Sequence, residues 1–143
     1  MSNGVRIYVE GRITVEGTST CPVYFDFAGG GDHMGIQFNS SSNGRGSRID
    51  NASIIHSTYG ITIYGSDPYL ANVTIWNPDD VGIDMFNSAT PTIRNLVIDE
   101  AGQDWNFPTY WRYGVGLSIG AGSAPNIDGL YINDAVTRGL NMW

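Results

Sequence analysis

"LANVTI", residues 70–75, sets an asparagine between the apolar residues of what otherwise reads as a strand. The feature returns in "IDNASI" at 49–54 and "IRNLVI" at 93–98, and with glycine in the asparagine position as "IDGLYI" at 127–132. Strand side chains alternate between faces. If Leu70 points inward and Ala71 outward, Asn72 and Val73 must both face inward, so the alternation breaks and the chain has to bend. Asparagine tolerates the left-handed backbone region better than most residues, and glycine tolerates it best. Gly129 standing where the others have asparagine is what a left-handed bend predicts. Asn51, Asn72, Asn95 and Gly129 are therefore expected to stack at an inward corner, the amides hydrogen-bonding from one repeat to the next.

Two further series keep step with the first. A glycine–apolar–x–apolar unit occurs as "GIQF" (35–38), "GITI" (60–63), "GIDM" (82–85), "GLSI" (116–119) and "GLNM" (139–142). A serine followed shortly by proline occurs as Ser66–Pro68, Ser88–Pro91 and Ser123–Pro125. The glycine units start 25, 22, 34 and 23 residues apart, and the order of the three features never varies. A period in the low twenties marks a solenoid. No stretch sustains a 3.6-residue period, which argues against helical repeats. Each unit holds three short alternating pieces, the pattern of one coil of a parallel β-helix. The expectation is an all-β solenoid of about five coils, three short strands each, without substantial helix. Residues 1–34 form a lead-in coil and 35–143 the repeats, in one domain with an insertion at 101–113.

The segments "PYLANVTI", "PTIRNLVI" and "PNIDGLYI", with their preceding glycine units, resemble the right-handed parallel β-helix superfamily. That superfamily includes pectate lyases, polygalacturonases, tailspikes and repeat-rich surface proteins. "GRITVEGTSTCPVYF" (11–25) is similar to the lead-in coil of such domains. The resemblance implies right-handed coiling, which parallel crossovers also favour. It implies no activity, because the fold hosts enzymes, adhesins and inert stalks alike.

Composition narrows the classes. Seven arginines and no lysine face fourteen acidic residues, for a net charge of −7. No basic stripe exists for nucleic acid or an anionic membrane, and no apolar run is long enough to span a bilayer. Cys21, the one cysteine, has no partner for a disulfide or a C-x-x-C site, and a small buried residue is its expected role. The opening "MSNGVRIYVEG" lacks the charged and apolar regions of a signal peptide. Either the chain stays inside the cell, or it is a segment cut from a larger secreted precursor; the open coil ends favour the second, with an extracellular or cell-surface location.

Inward positions make core, so function belongs to outward positions, insertions or coil ends. The glycine units place Gln37, Thr62, Asp84, Ser118 and Asn141 in one outward ladder, expected to be a solvated polar face. Asp50, Ala71, Arg94 and Asp128 form another. Asp79 and Asp80 follow Pro78 and read first as turn formers. With Asp84 they are also the candidates for a polysaccharide hydrolase or lyase, which needs carboxylates about 5–9.5 Å apart, and for Ca²⁺. The paired aspartates and "GGDHM" (30–34) only superficially resemble polygalacturonase motifs: Asp32–His33 comes before the aspartate pair, and the flanking motifs are missing. The simpler expectation is no catalysis.

The insertion carries Asp104, Trp105, Phe107, Tyr110, Trp111, Arg112 and Tyr113. Clustered aromatics either pack back onto the coil or contact a glycan or protein partner. "NSSSNGRGS" (39–47) reads as a flexible loop. Of the sequons at Asn39, Asn51 and Asn72, only Asn39 lies outside the expected bend and suits a glycan. Open coil edges raise one more possibility, end-to-end stacking of copies into a filament.

Overall fold

The computed structural model describes residues 5–27, 34–102 and 114–143. Its first strands are β1 (Arg6–Val9), β2 (Thr14–Glu16), β3 (Val23–Asp26) and β4 (Gly35–Phe38). A 3₁₀ turn (Ser40–Ser42) leads to β5 (Arg48–Ile55), β6 (Tyr59–Tyr64), β7 (Tyr69–Trp76) and β8 (Val81–Phe86). Then come β9 (Thr92–Asp99), β10 (Val115–Ile119), β11 (Asn126–Asn133) and β12 (Arg138–Met142). All ladder pairings between these strands are parallel. One sheet runs β1-β4-β6-β8-β10-β12, and the other β11-β9-β7-β5-β2 with β3 also on β5. The molecule is a parallel β-solenoid of about five coils, as the repeat predicts.

The second and third strands the sequence suggests for each coil are separate in the first, as β2 and β3, and joined through the bend in the later ones. Each eight-residue strand of the second sheet runs unbroken through the asparagine and is bent there. Pairing skips the bend: Asp50 pairs Ala71 and Ala52 pairs Val73, with no Asn51–Asn72 rung between them. In the first coil the bend opens into the loop between β2 and β3, closed by a Thr18–Cys21 bridge. Cys21 sits in that loop and is exposed. The expectation of a buried cysteine fails because residues 18–21 form an exposed turn instead of continuing a strand.

The bend is left-handed as expected: φ is 49° at Asn51, 50° at Asn72, 51° at Asn95 and 80° at Gly129. Its side chains, however, do not turn inward. Leu70 and Val73 are buried while Asn72 and Asn95 are exposed and Asn51 half-buried. The chain turns around the core at each bend, so the residue at the corner projects from the convex side. The amides still link coils, since Asn95 Nδ2 donates to Asn72 Oδ1 at 3.0 Å and Asn72 Nδ2 to Asp50 Oδ1 at 2.9 Å. The Asn72 sequon thus sits on the surface, with its amide committed to the ladder.

The core is a set of register columns. Ile36, Ile61, Ile83 and Leu117 stack from the first sheet, and Ile54, Ile75 and Ile98 from the second, all fully buried. The repeated glycines make this possible. A Cβ on Gly60, Gly82 or Gly116 would lie 2.6 Å from Cγ2 of Ile75, Ile98 or Ile132, and 2.5–2.7 Å from the next coil's glycine oxygen. Only hydrogen fits that corner.

The segment 39–47, expected as a flexible loop, is built into the stack. Ser42 and Ser47 are buried, and Ser42 Oγ meets Ser66 Oγ at 2.8 Å. Small hydroxyls let successive turns approach closely, which composition alone reads as looseness.

Candidate functional site

The outward ladder of the first sheet exists in the expected register. Gln37 pairs Thr62, Thr62 pairs Asp84, Asp84 pairs Ser118 and Ser118 pairs Asn141, with Tyr8 preceding Gln37. It is not the solvated face its composition suggests: Thr62, Asp84 and Ser118 are 6, 7 and 3% exposed, while Gln37 and Asn141 are half-buried. Short side chains here lie between longer neighbours. Arg6 donates to Gln37, Trp143 Nε1 reaches toward Ser118 Oγ at 3.4 Å, and Arg138 donates to Asn141 at 2.8 Å. Two positions along the strands of Thr62 and Asp84, Tyr64 and Phe86 pair and pack edge to face at 5.1 Å between centroids.

Asp79 and Asp80 form the turn between β7 and β8. Their N–H groups donate to Ser57 and Thr58 carbonyls at 2.8 and 2.9 Å, and Thr58 Oγ1 donates to Asp79 Oδ2 at 3.4 Å. The Asp80 carbonyl in turn accepts from the N–H groups of Gly114 and Val115 at 2.8 and 3.0 Å. The turn reading therefore has a backbone basis, repeated from coil to coil. Asp84 follows four positions later, so at about 3.3 Å per extended residue its backbone lies up to roughly 13 Å from that of Asp80. Asp79, Asp80 and Asp84 each make further polar interactions. Among the described residues no three His, Cys, Asp or Glu side chains are arranged to hold a metal ion. The Ca²⁺ proposal at Asp79, Asp80 and Asp84 thus gains no geometric support from the described residues.

Asp104, Trp105, Phe107, Tyr110, Trp111, Arg112 and Tyr113 of the 101–113 insertion lie outside the described residues, as do Asp32 and His33.

The second outward ladder is a charged strip beside the bend. Asp50 pairs Ala71, Ala71 pairs Arg94 and Arg94 pairs Asp128, with Glu16 preceding Asp50. Arg48 stacks on Tyr69 at 4.5 Å and forms an ion pair with Asp50. Burial pushes the Asp50 carboxyl up, but hydrogen bonds from Asn72 and Arg48, the Arg48 charge and the Asn51 N–H outweigh it and hold the pKa below normal. At the other end of the first sheet, Ser41 and Asn39 donate to Glu10 and lower its pKa in the same direction.

One feature escaped the sequence. A second left-handed ladder closes the far end of β5, β7, β9 and β11, with φ of 54° at His56, 50° at Asn77, 57° at Glu100 and 48° at Asp134. Four different residue types share one backbone role there, so no motif announces it. His56 in that ladder contacts Asp26 at 3.1 Å and Trp76 edge-on. The coil face at β11 and β12 is an open edge of the kind the repeat leads one to expect. Residues in core columns lose their cover: Leu130 is 38% exposed where Leu96 is 1%, and Leu140 and Met142 are 50 and 70% exposed. Val136 and Trp143 extend the apolar surface.

The stacked parallel coils, the left-handed corner ladder and the glycine corners belong to a recognised architecture. The chain belongs to the right-handed β-helix family, whose model, described as a right handed beta helix region, matches residues 1–143. Comparisons with curated proteins and with solved structures gave no match. Family membership here defines the fold, and any activity has to come from particular residues.

Proposed function

We propose that this chain is a non-catalytic structural β-helix module whose β11–β12 face stacks end-on against a further β-coil, of its own polypeptide or of another. The observation that carries this reading is the uncovered core at that face, where Leu130, Val136, Leu140, Met142 and Trp143 are 38–70% exposed. Contiguous apolar surface beside unpaired strand edges is the pattern of a contact surface. A non-catalytic role is supported by Asp79 and Asp80 serving the backbone turn, with Asp84 buried on a separate strand position. The lysine-free, acidic composition fits a module placed outside the cell or on its surface.

Sedimentation velocity over a rising concentration series tests the contact. The expected result is concentration-dependent association that Leu140→Arg abolishes while leaving the circular dichroism spectrum intact. A chain that stays monomeric throughout, or turnover of a polysaccharide that Asp80→Asn and Asp84→Asn remove, overturns the proposal.

A further inference from the structure

We infer that Asn43 is a site of spontaneous covalent modification, and that the Asp67 carboxylate on the next coil sets its rate. Asn43 and Gly44 lie in the 39–47 turn, and both are exposed. An asparagine followed by glycine is the pair in which a backbone nitrogen most readily attacks the preceding side-chain amide, because glycine has no Cβ to hinder it. The Gly44 nitrogen gives up its proton and bonds to Asn43 Cγ, the Cγ–Nδ2 bond breaks, and ammonia leaves with that proton. Water then opens the cyclic imide. Opening at Cγ gives aspartate, and opening at the backbone carbonyl gives isoaspartate, with the chain rerouted through the side chain. One water is consumed for each ammonia released, and nothing is oxidised or reduced.

Local geometry holds this reaction back. Asn43 has φ −60° and ψ 137°, and Gly44 has φ 67°. These are the central residues of a type II turn, closed by the Arg45 N–H donating to Ser42 O at 3.2 Å. Ring closure needs the ψ of Asn43 rotated well away from this value, so the turn has to open first. The turn itself offers the Gly44 N–H no acceptor, and that N–H donates instead to Asp67 Oδ1 at 2.7 Å. A carboxylate there restrains the nitrogen that must move and, as a like charge, opposes the anion it must become. The anchor is firm. Ser66, next to Asp67, is buried, and its hydroxyl meets that of Ser42 at 2.8 Å. The product undoes the restraint: it puts a second carboxylate on the residue before Gly44, and isoaspartate adds a methylene to the backbone of a turn fitted to its neighbour. The site is a one-way clock at the edge of the stack, with Asp67 as its positioning residue.

The test incubates the full chain and a synthetic peptide of residues 39–47 at mildly alkaline pH. Liquid chromatography with mass spectrometry then separates the asparagine, aspartate and isoaspartate forms, in the chain through the tryptic peptide that ends at Arg45. Conversion in the native chain runs about a hundredfold more slowly than in the peptide, since two restraining hydrogen bonds are at stake. Asp67→Ala speeds it about tenfold, the worth of one hydrogen bond to a charged group. Asp67→Asn, which keeps an acceptor oxygen, falls between the two. Gly82→Ala, which weakens the stack elsewhere, leaves the rate unchanged, and circular dichroism checks that each variant is folded. Native conversion as fast as that of the peptide, or Asp67→Ala no faster than native, overturns the inference. So does equal acceleration by Gly82→Ala, because general loosening of the coils would then set the rate.

Discussion

Gly82→Ala is the sharpest probe of how this solenoid closes its corners. Gly82 is the second residue of β8, just after the turn that brings the chain over from β7. An added Cβ would lie 2.5 Å from the Gly116 oxygen, 2.6 Å from Ile98 Cγ2 and 2.9 Å from Ile98 Cδ1. The first of these is backbone and is tied into the stack of parallel coils, so it yields only if β8 and β10 separate. The other two belong to a fully buried side chain. Overpacking of a tight core costs about 1–3 kcal/mol, and a backbone clash puts this site at the upper end. Against that, replacing glycine lowers the entropy of the unfolded chain by about 0.4–1 kcal/mol. The net expectation is a loss of about 2 kcal/mol. With a urea m-value near 2 kcal/mol/M, the unfolding midpoint falls by roughly 1 M. The same column contains its own control. At Gly139 an added Cβ meets only Ile132 Cγ2, at 3.8 Å, an ordinary contact. Gly139→Ala is therefore neutral or slightly stabilising. Urea titrations followed by far-ultraviolet circular dichroism compare the two. Equal midpoints for Gly82→Ala and Gly139→Ala would refute the reading of the glycine column as steric relief for Ile75, Ile98 and Ile132.

Asn72→Ala removes hydrogen bonds to Asp50 and Asn95 and leaves a Cβ-bearing residue at φ 50°; it costs about 2 kcal/mol, while Asn72→Gly keeps the backbone freedom and costs about half as much by chemical denaturation. Because the Asp50 pKa is lower folded than unfolded, its contribution is complete above the ordinary value of 3.8 and fades as pH falls through the folded value. Thermal unfolding scanned from pH 5 down to about pH 2 should therefore fall more steeply for the native chain than for Asp50→Asn; parallel curves would remove Asp50 from the account.

The fold was legible because its signals are local and repeated. The asparagine in "LANVTI" marks a backbone conformation that few residues adopt, and Gly129 in the same place shows that conformation is what matters. Four such corners, 21, 23 and, across the insertion, 34 residues apart, pointed to parallel pairing before any contact was known. The direction of the side chains at the corner was not legible. Alternation along a strand predicts an inward Asn72, whereas the curvature of the coil sends it outward, and curvature belongs to the whole coil. The same limit applied to the polar ladder. Its register could be counted from Gln37 to Asn141, but its burial depends on what lies beside each rung, as Trp143 does at Ser118.

By itself, then, the sequence determined the period, the left-handed corners, the columns of isoleucine and leucine, and the membership that follows from them. Those depend on residue type and spacing, which a linear chain carries. Tertiary structure decided which polar groups stay accessible, why glycine begins each "G-I" unit, and where core columns run out of cover at β11 and β12. Those depend on what lies one coil away, about 4.8 Å across the sheet but more than twenty residues along the chain.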